Sequence, residues 1–179
     1  MKYCCQCGAS VSLKVPAGDL LPRFVCDTCD TIHYQNPKIV VGCLPEWEDQ
    51  ILLCRRAIDP RIGFWTFPAG FMEKGESAEQ AAARETLEEA QADVEITSLY
   101  GVFSLPHISQ VYLVFRGVLR RPAFGAGSES LETQLFLPDK IPWDALAFPV
   151  IRHTLTRYVS DKSQGKFEVQ LGVIAPPSR

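Results

Sequence analysis

The sequence has no stretch approaching the roughly 20 apolar residues that a membrane-spanning helix requires, and no apolar segment follows the opening Met1-Lys2-Tyr3-Cys4. Those absences predict a soluble, cytoplasmic protein with no membrane partner. Charge of one sign is also scarce: 18 Lys and Arg against 21 Asp and Glu leave a formal net charge of -3. Such a chain has no positive field to gather nucleic acid, so no nucleic-acid partner is expected, and an anionic substrate needs a local cationic device. Internal repeats and low-complexity tracts are missing too. What remains is a 179-residue chain with 46% hydrophobic residues, enough for one real core plus at most a small module.

The cysteines are odd in number and unevenly placed. Five of the seven, Cys4, Cys5, Cys7, Cys26 and Cys29, fall early, leaving Cys43 and Cys54. That distribution suits a metal site better than a disulfide framework. Cys4-x-x-Cys7 and Cys26-x-x-Cys29 are two CxxC pairs whose connecting loop can fold back, so that four thiolates converge on a tetrahedral, structural zinc ion. A redox dithiol or a chance pairing of cysteines is the alternative. His33 can in principle replace one sulfur, and Cys5 is given no role. A module this small cannot bury enough surface to offset its chain entropy, so the metal must supply the missing stability. Asn36-Pro37 marks an extended linker, which divides the chain into residues 1–36 and 37–179.

Beyond the linker, Lys38 to Leu44 and Gln50 to Arg56 read as the strands of a hairpin around the polar turn Glu46-Trp47-Glu48-Asp49. Cys43 and Cys54 lie inside those runs as small buried hydrophobes. Val94 to Leu105 and Gln110 to Leu119 read as further strands. Val150, Thr154, Leu155 and Tyr158 have helical spacing within Pro149 to Tyr158. Pro122 to Ser130, with Gly125 and Gly127, reads as a flexible loop able to close on a substrate, and residues 175–179 as a frayed tail.

The most informative segment runs from Gly70 to Ala90. Ser77 and Gln80 form a capping box, and the alanines, Arg84 and glutamates that follow favour a helix over about 78 to 90. Glu85, Glu88 and Glu89 then fall at i, i+3 and i+4, on one arc of its surface. Like charges so placed repel unless a cation sits among them, and an all-oxygen ligand set selects magnesium or manganese. Arg84 can pair with Glu88 or Glu76 and keep the array in register. A solvated acidic helix face is the alternative meaning of such a run.

Gly70, Glu76, Arg84, Glu85, Glu88 and Glu89 fall where the Nudix box GX5EX7REUXEEXGU places its Gly, Glu, Arg-Glu and Glu-Glu. The chain therefore resembles the Nudix hydrolases. Thr86 stands where an aliphatic residue is usual and Gln91 where the box has glycine; the second substitution implies about 1 kcal/mol of strain at the helix end, or a different exit. The ribbon, the His33-to-Pro37 linker, Trp65-Thr66-Phe67-Pro68-Ala69-Gly70 and Glu129-Ser130-Leu131-Glu132 extend the resemblance to the zinc-ribbon subgroup that includes plant FAD and ADP-ribose diphosphatases. The SQPWPFPxS motif of the zinc-ribbon NADH diphosphatases, which also remove NAD caps from RNA, does not occur here.

The resemblance implies an α/β class fold, a Nudix α/β/α sandwich with a mixed sheet behind a zinc ribbon. It also implies hydrolysis of a small-molecule nucleotide, FAD or ADP-ribose in type, to AMP and a phosphorylated product. Glu85, Glu88 and Glu89, with the Ala69 or Gly70 carbonyl, would hold magnesium or manganese, and Glu132 would be the base or an added ligand unless it simply faces solvent. Arg55, Arg56 and Arg61 are candidates for substrate phosphates. Phe64, Trp65, Phe71 and Phe103 either stack on a base or belong to the core. A homodimer is common in such enzymes. The alternatives are a house-cleaning hydrolase of non-standard nucleoside triphosphates and a non-enzymatic zinc-ribbon adaptor that binds RNA or protein.

Overall fold

The computed structural model describes residues 1–176, so the end of the tail, Pro177 to Arg179, lies outside the described residues. Two compact units form, Met1–Pro37 and a second that begins at Lys38. The first is a three-stranded antiparallel sheet of β1 (Val11–Lys14), β2 (Arg23–Cys26) and β3 (Ile32–His33). Its register sets Val11 opposite Cys26 and Phe24 opposite His33. Among the described residues, the buried hydrophobic side chains of this unit are Cys4, Val25 and Cys26. One valine and two thiols are no core, which is the condition under which a bound metal must carry the fold.

The second unit contains β4 (Lys38–Trp47), β5 (Gln50–Arg56), β6 (Trp65–Thr66), β7 (Ala69–Phe71), α1 (Ala78–Ala90), β8 (Val94–Leu105), β9 (Gln110–Leu119), β10 (Ser130–Phe136), α2 (Pro149–Gln164) and β11 (Gln170–Val173). The strands make one mixed sheet in the order β10-β5-β4-β9-β8-β11, with β6 on β5 and β7 on β4. The β4–β9 and β8–β11 pairs are parallel, and the rest are antiparallel. Alternation along β5 shows how the layers arise. Leu52 and Cys54 pack with Ala81, Ala82 and Ala90 of α1, while Ile51 and Leu53 pack with Val150, Ile151, Leu155 and Tyr158 of α2. The result is the expected α/β/α sandwich with a mixed sheet.

Two elements depart from their sequence reading. The β4–β5 hairpin is tighter than expected, because Trp47 pairs with Gln50 and only Glu48 and Asp49 turn, Glu48 with φ 53°. Glu46 is thereby drawn from the turn into the strand and buried. It accepts hydrogen bonds from Arg116 Nε at 2.7 Å, Arg116 Nη2 at 3.1 Å and Tyr158 Oη at 2.8 Å, which satisfy the charge. Helix α2 continues past Tyr158 to Gln164 and ends where Gly165 takes the left-handed conformation.

The 122–130 segment is docked rather than free. Gly125 N–H donates to the Ala90 carbonyl at 2.8 Å and Gly127 N–H to the Glu89 carbonyl at 3.0 Å, filling positions that the end of a helix leaves open. A Cβ on Gly127 would overlap the Glu88 carbonyl oxygen, so only glycine permits this approach. Gln91 takes the left-handed conformation, φ 49° and ψ 30°, and its N–H bonds Leu87 O. The helix therefore ends as the box would have it end, with a side chain in glycine's place.

Candidate active site and cysteine cluster

Strand β7 brings Ala69 and Gly70 beside β4, with Gly70 opposite Val41 and Ala69 opposite Gly42. A turn over 73–76, in which Gly75 has φ 90°, then leads into α1. The helix start is fixed locally: Gln80 N–H donates to Ser77 Oγ at 3.2 Å, and Ser77 N–H to Gln80 Oε1 at 2.7 Å. Arg84 ties turn to helix. Its guanidinium donates to both Glu76 oxygens at 3.0 and 2.8 Å, to Phe71 O at 3.2 Å, to Glu85 Oε1 at 2.8 Å and to Glu88 Oε2 at 3.0 Å. The hydrogen bonds from Arg84 hold the Glu76 carboxyl down at about 2.

Glu85 and Glu89 lie one turn apart on the buried side of α1, only 8% and 7% exposed. Glu88, between them in sequence, leaves 58% of its side chain exposed. Gly70 is packed so tightly on Glu85 that a Cβ there would overlap the carboxylate. Glu89 Oε2 accepts from Ala69 N–H at 3.3 Å. Burial, with the Glu85 charge adding to it, pushes the Glu89 carboxyl up to about 8. Burial also raises Glu85, against the opposing pull of Arg84.

Both carboxylates open onto a cavity of about 850 Å³, which Ala69, Gly70, Arg84 and Glu88 also line. Its size is that of a small-molecule site. Glu129, at the end of the docked loop, lines it too, and its charge adds to the upward pressure on Glu85 and Glu89. Arg56 and Arg61 reach the cavity and Arg55 does not. The Arg56 guanidinium sits 5.2 Å from the centre of the Phe148 ring, another lining residue. Of the four aromatic candidates only Phe71 lines the cavity, whereas Trp65 and Phe103 are buried core and Phe64 lies under Arg61.

Glu132 is placed elsewhere. It stands opposite Arg55 in the β10–β5 ladder and pairs with Arg55 Nη1 at 3.6 Å, outside the cavity lining. Glu129, three residues earlier and just ahead of β10, lines the cavity instead. Two carboxylates stay buried, Glu85 offset in part by Arg84 at 2.8 Å and Glu89 by the Ala69 amide. Carboxylate oxygens are the donor type that hard divalent cations take, although among the described residues the four cysteines, and not these glutamates, gather their ligand atoms within 4.8 Å of one another.

In the first unit the Sγ atoms of Cys4, Cys7, Cys26 and Cys29 all lie within 4.8 Å of one another. Three of the separations, Cys4–Cys29 at 3.7 Å, Cys7–Cys26 at 3.4 Å and Cys7–Cys29 at 3.5 Å, approach the edge of about 3.8 Å of a tetrahedron with 2.3 Å Zn–S bonds. Amide N–H groups of Gln6, Thr28 and Cys29 donate to Cys4 or Cys26 Sγ at 3.4 Å, as suits thiolates. His33 stays outside this group, its Nδ1 3.7 Å from Cys5 Sγ.

Comparison with known proteins agrees with this geometry. Residues 36–157 match the family description NUDIX domain, and residues 2–35 match the zinc ribbon described as Nudix N-terminal. The crystal structure of a NUDIX hydrolase from Nitrosomonas europaea superposes with a TM-score of 0.94 and 57% identity, covering 97% of this chain and 99% of that one. An ADP-ribose pyrophosphatase of Methanocaldococcus jannaschii is 33% identical over 118 residues, 61% of this chain and 67% of that protein. The NAD-capped RNA hydrolase NudC of Vibrio atlanticus is 31% identical over 167 residues, 87% of this chain but only 58% of that protein. The chain belongs to the Nudix hydrolase family and carries the family's N-terminal zinc ribbon ahead of its hydrolase domain.

Proposed function

We propose that the cavity hydrolyses the diphosphate of a nucleoside diphosphate derivative, ADP-ribose or FAD in type, to AMP and a phosphorylated product. The observation that carries this reading is the pair of buried carboxylates, Glu85 and Glu89, on the wall of a cavity that also takes in Glu129 and Arg56. Glu85 and Glu89, assisted by Glu88 and a carbonyl of Ala69 or Gly70, would hold one or more magnesium or manganese ions. A divalent ion there supplies Lewis-acid chemistry, offsetting the charge of the diphosphate and lowering the pKa of water. Arg84 orients the array through its five donors. Water forms the new P–O bond as the bridging P–O bond breaks, and its proton passes to Glu129, the exposed carboxylate facing the array, in place of Glu132. Arg56 reaches a substrate phosphate while Phe148 beneath it offers a ring face to a base.

Residues 1–36 serve as a zinc-stabilised module and 37–179 as the catalytic domain, the zinc having no open position for chemistry. The M. jannaschii relative, named an ADP-ribose pyrophosphatase, supports the substrate class. A second reading, an NAD-linked substrate that includes capped RNA, is favoured by the share of this chain, 87%, that the V. atlanticus NAD-capped RNA hydrolase matches. The net charge of -3 speaks for the small molecule. Protein supplied with magnesium is offered FAD, ADP-ribose, NADH, an NAD-capped RNA and a nucleoside triphosphate in parallel, with products separated by chromatography. Fastest turnover of FAD or ADP-ribose supports the first reading. Preference for the NAD-linked pair supports the second, and a triphosphate cleaved best replaces both with a house-cleaning role.

A further inference from the structure

The Nudix box has glycine where this chain has Gln91, and the side chain that results reaches the active-site loop. Gln91 Nε2 donates to the Ala126 carbonyl at 2.9 Å. A Cβ on Gly125 would stand 3.0 Å from Gln91 Oε1, so the amide is held closely between the two residues. The neighbouring backbone bonds, Gly125 to Ala90 and Gly127 to Glu89, join the same stretch to the end of α1. Two residues beyond Gly127, the Glu129 carbonyl accepts from Ala57 N–H at 2.8 Å, just after β5. The loop is therefore pinned at both ends, to the helix that bears Glu85 and Glu89 and to the strand that leads to Arg56.

We propose that Gln91 is a positioning residue, latching residues 122–129 to α1 so that the Glu129 carboxylate stays opposite Glu85 and Glu89. This inference rests on the reading of Glu129 as the proton acceptor. A glycine at 91 would adopt the left-handed conformation without strain and leave Ala126 without its side-chain donor. The chain thus keeps a side chain in a conformation that glycine would take more easily, and that side chain fastens the loop. Because proton transfer needs the base within hydrogen-bond reach of the water, releasing the loop slows chemistry while leaving the substrate's own contacts in place.

The test compares wild type, Gln91→Gly, Glu129→Gln and the double variant, using kcat, KM and thermal midpoint for the best substrate of the panel. Gln91→Gly is expected to keep or raise the midpoint, to leave KM unchanged and to lower kcat roughly tenfold. Glu129→Gln is expected to lower kcat at least about 100-fold, within the range for a general base, and the double variant should fall no further than Glu129→Gln alone. That lack of additivity is what a role exercised through Glu129 requires, and a merely structural residue would not produce it. Wild-type kcat in Gln91→Gly beside an impaired Glu129→Gln overturns the latch and spares the function. Effects that multiply in the double variant also overturn it. Wild-type kcat in Glu129→Gln removes the reading of Glu129 and the latch with it.

Discussion

The Ala69 amide donates a hydrogen bond to the Glu89 carboxylate at 3.3 Å, joining β7 to α1 across the floor of the cavity. One residue on, Gly70 leaves room for the Glu85 carboxylate where any side chain would collide. The glycine of the box therefore makes space for the second carboxylate.

Gly70→Ala tests that relationship. The added methyl must displace Glu85 by about an ångström, and misplacement of that order in a catalytic group costs about 100-fold in rate. Turnover is expected to fall by that order while the thermal midpoint shifts little, since Glu85 can swing into the cavity. Steady-state kinetics beside a thermal melt checks both halves.

Arg116→Ala addresses stability away from the cavity. Glu46 is buried, with Arg116 as its cationic partner and Tyr158 as its second donor. Removing Arg116 strands a buried carboxylate, and loss of one partner of such a pair destabilises by about 3 kcal/mol. The Arg116 guanidinium also lies 3.5 Å from the Phe167 ring centre, so packing is lost as well. Urea unfolding should show a midpoint shift of that size with an unchanged slope.

The cysteine cluster makes a stoichiometric prediction. Elemental analysis of purified protein should find one zinc per chain, and Cys26→Ser should lose it. With Val25 as the buried aliphatic residue among its described residues, the first unit is expected to lose its fold with the metal. Amide exchange over Val11 to His33 would then match that of an unfolded chain.

Helix α1 was legible to the residue because its signals are local: a capping box, an alanine run and glutamates at helical spacing all lie within fourteen residues of Ser77. The layers came through the family resemblance alone, because Ile51-Leu52-Leu53-Cys54 is a continuous apolar run that does not tell one face of the sheet from the other. That Glu129 lines the cavity and Glu132 does not was hidden, because it depends on the 122–129 loop docking on Glu89 and Ala90, residues remote from it in the chain. Glu46 read as part of a polar turn because Arg116 and Tyr158, the partners that allow its burial, are 70 and 112 residues away. Phe148 gave no signal of its own, standing before Pro149 as an ordinary helix entrance, and its place in the cavity comes from the packing of α2. Gly125 and Gly127 suggested freedom to move, yet their lack of a side chain lets the loop lie against the end of α1.

The most direct test is to titrate zinc-loaded protein with manganese, following the free ion by electron paramagnetic resonance, in wild type and in Glu89→Gln. Saturable binding in wild type, weakened at least about tenfold in the variant together with a fall in turnover of about 100- to 1,000-fold, is the predicted result. Equal manganese affinity and equal turnover in the two proteins would contradict a catalytic cation held by the buried carboxylates of α1.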